Sequence, residues 1–165
     1  MLGSFLVVVL VETGLIENAK NIFDMLTYKD QSSWSSLING YLNIGKPHLA
    51  FRVYEENYPD VAMYYSKGHT FVNILKACIK LKDLKTGLQM HVEALRTRLF
   101  FRDPFVGSSL VDMYAKCGSL SIAEEVFEML PVKDVVSWTT LIGGYVEHGH
   151  EEEALKCLEE MEDKG

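Results

Sequence analysis

The chain repeats itself, and this repeat limits what its 165 residues can fold into more than any other feature. The run SWSSLINGY at residues 33–41 returns as SWTTLIGGY at residues 137–145, an offset of 104 residues. A second segment has the same offset, because seven residues between Gly14 and Asp30 recur between Gly118 and Asp134. Two separate segments with one offset predict an array of repeats.

Weaker copies divide this interval into three parts. Residues 71–75 and 108–114 take the place of the Trp-containing run. If the units end at Asp30, Lys67, Asp103 and Asp134, the spacings are 37, 36 and 31 residues, which is the range of helical-hairpin repeats. The predicted units are residues 1–30, 31–67, 68–103, 104–134 and 135–165.

Each unit is predicted to form two short amphipathic helices. Trp34, Leu37, Ile38 and Tyr41 lie at i, i+3, i+4 and i+7, and residues 71–78 and 138–145 repeat that spacing. A second stripe in each unit pairs an alanine with a large residue one turn later. No unit can bury both stripes alone, so stacking must complete the core. The predicted fold is an all-α solenoid of helix-turn-helix hairpins, wound into a right-handed superhelix.

The ends of these helices also carry signals. The predicted N-caps are Ser33, Thr70 and Ser137. The glycines expected to end helices in the left-handed conformation are Gly14, Gly45, Gly118 and Gly149.

Composition limits the function classes. The chain has 16 basic and 23 acidic residues, for a net charge of −7 and a pI near 5.2, so bulk electrostatics does not favour binding to nucleic acid. Three distant cysteines without a CxxC pair exclude a disulfide framework or a structural zinc site. The most apolar stretch, residues 6–11, is too short for a membrane span and lacks the features of a signal peptide.

Several segments resemble the pentatricopeptide repeat family. Residues 135–145 (VVSWTTLIGGY), with EAL at 153–155, look like the standard repeat, and residues 110–120 (LVDMYAKCGSL) resemble its short variant. Residues 71–78, followed by GLQMH at 87–91, are similar to its long variant. The order short, standard, long, short, standard resembles a plant subclass, with the last unit cut short. The chain is therefore expected to be a piece of a longer array or a truncated gene product.

This resemblance implies binding to single-stranded organellar RNA, about one base per repeat. The family reads a base with the fifth and last residues of a unit. The implied pairs are Ser4 with Asp30, Ser35 with Lys67, Val72 with Asp103, and Ser108 with Asp134, while Thr139 has no partner and Val136 flanks a base. An Asp carboxylate accepts from the two N–H donors of guanine, so we expect guanine at the two Ser/Asp pairs. The Val72 side chain cannot form a hydrogen bond, so the long unit is expected to space the repeats rather than read a base. We assign no base preference to the pair of Ser35 and Lys67.

Charge is uneven between units. The long unit has a net charge of +4, and the fifth unit has −6. The candidate phosphate contacts are Lys76, Lys80, Lys82 and Lys85. Other interpretations stay open: the basic run can be a solvated helix face, and Asp30, Asp103 and Asp134 can be N-caps. The Trp, Leu and Tyr stripe is expected to be core rather than a surface for base stacking.

No catalytic motif is found. His150 and Glu152 match the H-x-E string of zinc deaminases, but the matching C-x-x-C is missing, so we expect no enzyme activity, no metal and no cofactor. His91 is expected to be a core or edge histidine.

By resemblance, the partners are single-stranded RNA and other organellar RNA-processing proteins, in transcript editing, splicing or processing. The expected location is the chloroplast or the mitochondrion, with no membrane or small-molecule partner. One alternative is a tetratricopeptide-like scaffold that holds a peptide in its groove, although that family's glycine is replaced by Ile38, Val111 and Ile142. Another is a fragment with no activity of its own.

Overall fold

The computed structural model describes the backbone of residues 2–56 and 64–164, and the side chains of residues 2–56 and 68–164. This part of the chain forms eleven helices and no strand, which confirms the all-α prediction. The helices are α1 (Leu2–Glu12), α2 (Ile16–Met25), α3 (Gln31–Asn43), α4 (Pro47–Glu56), α5 (Tyr64–Leu81), α6 (Leu84–Arg96), α7 (Leu99–Arg102), α8 (Pro104–Lys116), α9 (Leu120–Met129), α10 (Val135–Glu147) and α11 (Glu151–Lys164). None of these helices is both long and apolar enough to cross a membrane.

The chain divides into two compact bodies, Met1–Tyr64 and Tyr65–Gly165. In the first body, α1 packs against α2 and α3, and α3 packs against α4. The helices approach closely at Gly40, where an added Cβ would lie 2.9 Å from Val11 Cγ1 and 2.9 Å from Ile16 Cδ1. Phe23 and Leu37 are fully buried in this core.

In the second body, α8 is the central element. It packs against α6, α7, α9 and α10, and α10 packs in turn against α9 and α11. A Cβ on Gly144 would lie 2.6 Å from the Cβ of Ala115, so α8 and α10 are in close contact at this point. The rings of Phe127 on α9 and Trp138 on α10 meet edge to face with centroids 4.7 Å apart.

The Trp, Leu and Tyr stripe forms the core, as the sequence predicts. The buried members are Trp34, Leu37, Ile38, Tyr41, Phe71, Ile74, Leu75, Cys78, Trp138, Leu141 and Tyr145. Ile142 is only partly buried. On α11 the second stripe is only partly covered, because Ala154 is buried whereas Leu158 is 42% exposed.

The prediction of left-handed glycines at helix ends is confirmed, but the prediction that Ser33, Thr70 and Ser137 are N-caps is wrong. Gly14, Gly45, Gly118 and Gly149 all have positive φ, between 71° and 87°. The caps of α3 and α10 are Asp30 and Asp134, three residues before Ser33 and Ser137, because a carboxylate accepts the free N–H groups of the first turn. Thr70 lies inside α5, which begins at Tyr64.

The expectation of two helices per unit is wrong for the long unit. A short third helix, α7, follows α6 after Arg98, which has a left-handed φ of 59°. Phe100 explains this helix, because its side chain is buried and its ring centroid lies 6.0 Å from that of His91 on α6. The insertion adds an aromatic residue to the core between α6 and α8.

Candidate functional site

Three of the carboxylates assigned to base reading are N-caps. Oδ1 of Asp30 accepts from the backbone N–H of Ser33 at 2.9 Å, and Oδ1 of Asp134 accepts from that of Ser137 at 2.8 Å. Asp103 caps α8 by accepting from the N–H of Phe105 at 3.0 Å. The N-cap interpretation is confirmed for all three residues. Capping occupies one acceptor site of each carboxylate, so each can still accept a hydrogen bond from a ligand, chiefly through its second oxygen.

The second oxygens of Asp134 and Asp103 differ in their surroundings. Asp134 is exposed, and its Oδ2 has no hydrogen-bond partner among the described residues. Oδ2 of Asp103 lies against Gly68, where a Cβ would approach it to 1.8 Å. Asp134 therefore offers a free acceptor, whereas Asp103 is packed against the backbone of α5.

In the first body, Ser4 and Asp30 lie in one cleft. This cleft of about 550 Å³ is lined by Leu2, Ser4, Phe5, Val8, Asp30 and Ser32. The pKa of the Asp30 carboxyl is lowered, first by the hydrogen bond from the backbone N–H of Ser33 and further by the hydroxyls of Ser33 and Ser4. The structure therefore brings the pair together and favours the charged form of the acceptor.

In the second body, a cleft of about 340 Å³ lies between α8 and α10. Its lining residues are Phe105, Ser108, Ser109, Asp112, Lys116, Val136, Thr139, Thr140, Gly143, Gly144 and Glu147. Three residues singled out in the sequence, Ser108, Val136 and Thr139, therefore share one surface. Asp134 is not among the lining residues and lies two residues before Val136, at the N-terminus of α10. We call the surface of α8 and α10 that lines this cleft the inner face.

The hydroxyl groups on the inner face already donate to the backbone. Ser108 Oγ donates to the carbonyl of Pro104 at 2.9 Å, and Thr139 Oγ1 donates to that of Val135 at 2.7 Å. Each oxygen keeps lone pairs, so both side chains can still accept a hydrogen bond from a ligand. Ser108 is only 8% exposed, so it is accessible only from within the cleft.

Phe105 is a candidate that the sequence reasoning missed. It lines the cleft, is 69% exposed, and precedes Val136 by 31 residues, the spacing that also relates Ser108 to Thr139. Val136 is itself 52% exposed. The 31-residue offset was the signal that could have found Phe105, since Val136 was already singled out.

The structure does not bring the residues of the other two predicted pairs, Ser35 with Lys67 and Val72 with Asp103, together in a described cleft. Ser35 is partly buried on α3, and the side chain of Lys67 lies outside the described residues. Val72 is partly buried on α5, in the unit whose Asp103 carboxylate packs against Gly68. Val72 offers no hydrogen-bonding side chain, and that the long unit does not read a base stays a prediction.

The four candidate lysines lie on α5, at the turn that follows it and on α6. Lys76 and Lys80 are exposed, one turn apart on α5. Lys82 has a left-handed φ of 55°, and its Nζ donates to the carbonyl of Lys116 at the end of α8. Lys85 is exposed in the first turn of α6. Lys82 therefore satisfies a helix terminus, while Lys76 and Lys80 present two charges on one helix face.

One histidine and three cysteines are buried or partly buried. His91 is confirmed as a partly buried core residue whose Nδ1 lies 2.9 Å from Tyr114 Oη. Burial raises the pKa of the Cys78 thiol to about 12, and burial also raises the pKa values of Cys117 and Cys157. Over residues 2–56 and 64–164, no group of three or more His, Cys, Asp and Glu side chains is placed to hold a metal ion.

Comparison with known proteins agrees with this architecture. The family model described as PPR repeat matches residues 32–56, 108–135 and 136–165, about half of the chain. The first match covers α3 and α4, and the other two follow each other directly along α8 to α11. The chain belongs to the pentatricopeptide repeat family. The cleft between α8 and α10 thus lies between the first helices of two consecutive pentatricopeptide repeats.

Relatives in Arabidopsis thaliana extend the match to nearly the whole chain. A putative pentatricopeptide repeat-containing protein is 36% identical over 164 residues, 99% of this chain and 22% of the relative. A protein named as chloroplastic is 36% identical over 94% of this chain, and one named as mitochondrial is 33% identical over 98%; the chain covers 22% and 25% of them, respectively. The chain thus spans about a fifth to a quarter of the length of these pentatricopeptide repeat proteins.

Proposed function

We propose that the chain binds single-stranded RNA along the first helices of its repeats, with about one base per repeat. The observation that carries this proposal is the cleft between α8 and α10, where Ser108, Val136 and Thr139 share one surface. Phe105 and Val136 offer exposed apolar side chains against which the flat face of a base can pack. The hydroxyls of Ser108 and Thr139, which line the cleft, offer acceptors.

The base preference is proposed from the free oxygen of Asp134. Its Oδ1 is held by the N–H of Ser137, which fixes the carboxylate, and its Oδ2 can accept from a ligand. Guanine presents two N–H donors on its Watson–Crick edge, whereas adenine presents one donor group and one acceptor. An acceptor-only carboxylate therefore favours guanine at Ser108 and Asp134, and by the same chemistry at Ser4 and Asp30.

The wider role follows from the family. We infer a function in organellar RNA metabolism, by editing, splicing or processing of transcripts, together with other organellar RNA-processing proteins. A chloroplast or mitochondrial location is supported by relatives whose names carry those words. The chain acts as a binding module and not as an enzyme in this proposal.

Fluorescence anisotropy with short single-stranded RNAs tests the proposal. Two RNAs that differ by guanine or adenine at one position are titrated against the wild type and Asp134→Asn. The Asn side chain can still cap α10, and it adds an N–H₂ donor that matches the N1 acceptor of adenine. The variant is expected to shift preference from guanine towards adenine by roughly tenfold, which corresponds to one hydrogen bond to a charged group.

Folding and binding are separated by matched measurements. Both proteins are first checked for the same cooperative thermal unfolding, and Asp163→Asn, on the exposed end of α11, serves as the charge-matched control. An equal change of preference in both variants would contradict reading by Asp134. If the folded wild type binds no RNA at low salt, the proposed function is wrong, and a peptide-binding scaffold becomes the better interpretation.

A further inference from the structure

The two walls of the cleft in the second body correspond residue by residue, at an offset of 31. The corresponding pairs are Phe105 with Val136, Ser108 with Thr139, Ser109 with Thr140, Asp112 with Gly143, and Lys116 with Glu147. The last pair reverses its charge. The position at the end of α8 carries a lysine, and the same position at the end of α10 carries a glutamate.

The charges at this repeat register also change along the chain. At the same register on α5, 36 residues before Asp112 and Lys116, both positions are basic, Lys76 and Lys80. On α8 the Lys116 Nζ pairs with Asp112 at 3.0 Å, so that unit is locally balanced. On α10 the two equivalent positions are Gly143 and Glu147, so only a negative charge is present there. The sign runs from positive through balanced to negative over three successive units.

Glu147 has no evident structural role. It is exposed, and no hydrogen bond or ion pair joins it to another described residue. It is the last residue of α10, where the negative end of the helix dipole disfavours a carboxylate. The charge of Glu147 therefore adds to the negative potential of the helix terminus on a face that is open to a ligand.

We propose that Glu147 weakens the binding of RNA at the fifth unit, because it repels the phosphate backbone there. This proposal rests on the RNA binding proposed above and specifies where on that surface a phosphate is disfavoured. Phosphates that pass Lys76, Lys80 and Lys116 meet favourable or balanced charge. A phosphate at the equivalent position of the fifth unit meets a like charge.

Charge substitutions at Glu147 test the proposal. Glu147→Lys and the wild type are titrated with a short labelled single-stranded RNA between roughly 50 and 200 mM salt, the range over which phosphate contacts weaken strongly. Replacing repulsion by one phosphate contact is expected to steepen the slope of log K against log salt by about 0.7 and to tighten binding about fivefold near 0.1 M salt. Glu147→Gln is expected to tighten binding less and to steepen the slope less, because it removes a salt-screened repulsion without adding a phosphate contact.

Glu125→Lys is the matched control, because Glu125 is an exposed acid on α9 that does not line the cleft. Glu125→Lys changes the net charge by the same amount as Glu147→Lys, but it is expected to change the affinity for RNA much less. Equal effects of the two lysine variants, or no effect of Glu147→Lys while the wild type binds RNA, overturn the role of Glu147 and leave the proposed function intact. Absence of binding by every folded variant overturns both.

Discussion

The Asp134 carboxylate uses one oxygen for the fold and leaves the other for a ligand, so its two roles can be separated by substitution. Asp134→Ala removes the acceptor for the N–H of Ser137 and is expected to lower the free energy of unfolding by about 1 kcal/mol. Asp134→Asn keeps an N-cap and is expected to change stability little. Urea denaturation measures both variants against Glu125→Ala, and equal stability of the two Asp134 variants would contradict the cap.

His91 is the residue through which pH should act on the core. Its Nδ1 lies 2.9 Å from Tyr114 Oη, its ring lies near those of Phe100 and Tyr114, and its buried Nε2 has no hydrogen-bond partner in the described structure. The charged groups nearest along α6, Glu93 and Arg96, pair with each other at 2.7 Å. Burial lowers the pKa of His91, because it disfavours the imidazolium.

The sign of the pH effect follows from this lowered pKa. The unfolded chain takes up the proton near pH 6.5, before the folded chain does, so the stabilisation is complete above that value. The free energy of unfolding is expected to fall as the pH drops from about 6.5 towards the lowered pKa of the folded state. His91→Gln keeps a polar partner for Tyr114 and should show a shallower decline between pH 7.5 and 5. Parallel pH profiles for the two proteins would rule out His91 as the cause.

Two adjacent glycines give a sharp test at the level of helix packing. A Cβ on Gly144 would lie 2.6 Å from the Cβ of Ala115 on α8, whereas a Cβ on Gly143 meets nothing within 4 Å. Gly144→Ala is expected to force α8 and α10 apart and to cost about 1–3 kcal/mol. Gly143→Ala is expected to be neutral or to stabilise by up to about 1 kcal/mol, from helix propensity alone.

Thermal and urea unfolding of the two glycine variants measure this difference, and each variant is the control of the other. The two substitutions add the same methyl group to the same helix, one residue apart. If both variants lose stability equally, the cause is a property of α10 and not its contact with α8. Equal stabilisation would mean that α8 and α10 separate without cost.

The sequence predicted the helices but not how closely they pack. The spacing of Trp34, Leu37 and Tyr41 was enough to predict a buried face, because burial follows from periodicity. Gly40 and Gly144 recur at the 104-residue offset as well, yet a repeated glycine does not say what lies opposite. Only the structure shows that both stand where neighbouring helices touch.

Helix ends were harder to predict than helix faces. Ser33 and Ser137 were chosen as caps because they precede the apolar run, but residues 31–33 and 135–137 already form the first turn. The cap is the acceptor at the start of that turn, and Asp30 and Asp134 are better acceptors for it. The α7 helix was not predicted because four residues make only about one helical turn, which is too short to show a repeating pattern of apolar residues.

The candidate site was predictable where it follows the repeat. Ser108, Val136 and Thr139 were assigned by register, and the structure places them on one cleft. The contact of Lys82 Nζ with the carbonyl of Lys116 joins residues 34 apart, and the repeat register does not show it. The packing of Asp103 against Gly68 is likewise a tertiary contact.

At the scale of the whole molecule, the question is how a chain with a net charge of −7 could bind a polyanion. The acids concentrate in the fifth unit, at −6, while the long unit carries +4. Because salt screens charges beyond about 10 Å at 0.1 M ionic strength, the local charge matters more than the net charge. Binding is therefore expected to depend on a few lysines on the first helix of the long unit.

Substitution of Lys76 and Lys80 together tests this dependence. If both contact phosphates, the double change to Gln is expected to reduce the slope of log K against log salt by about 1.4, with weaker binding to all RNA sequences alike. The control is the double change of Lys46 and Lys156 to Gln. Both are exposed lysines that do not belong to α5, and the control alters the net charge by the same amount. An equal loss in the two double variants would show that net charge, and not the α5 surface, governs the affinity for RNA.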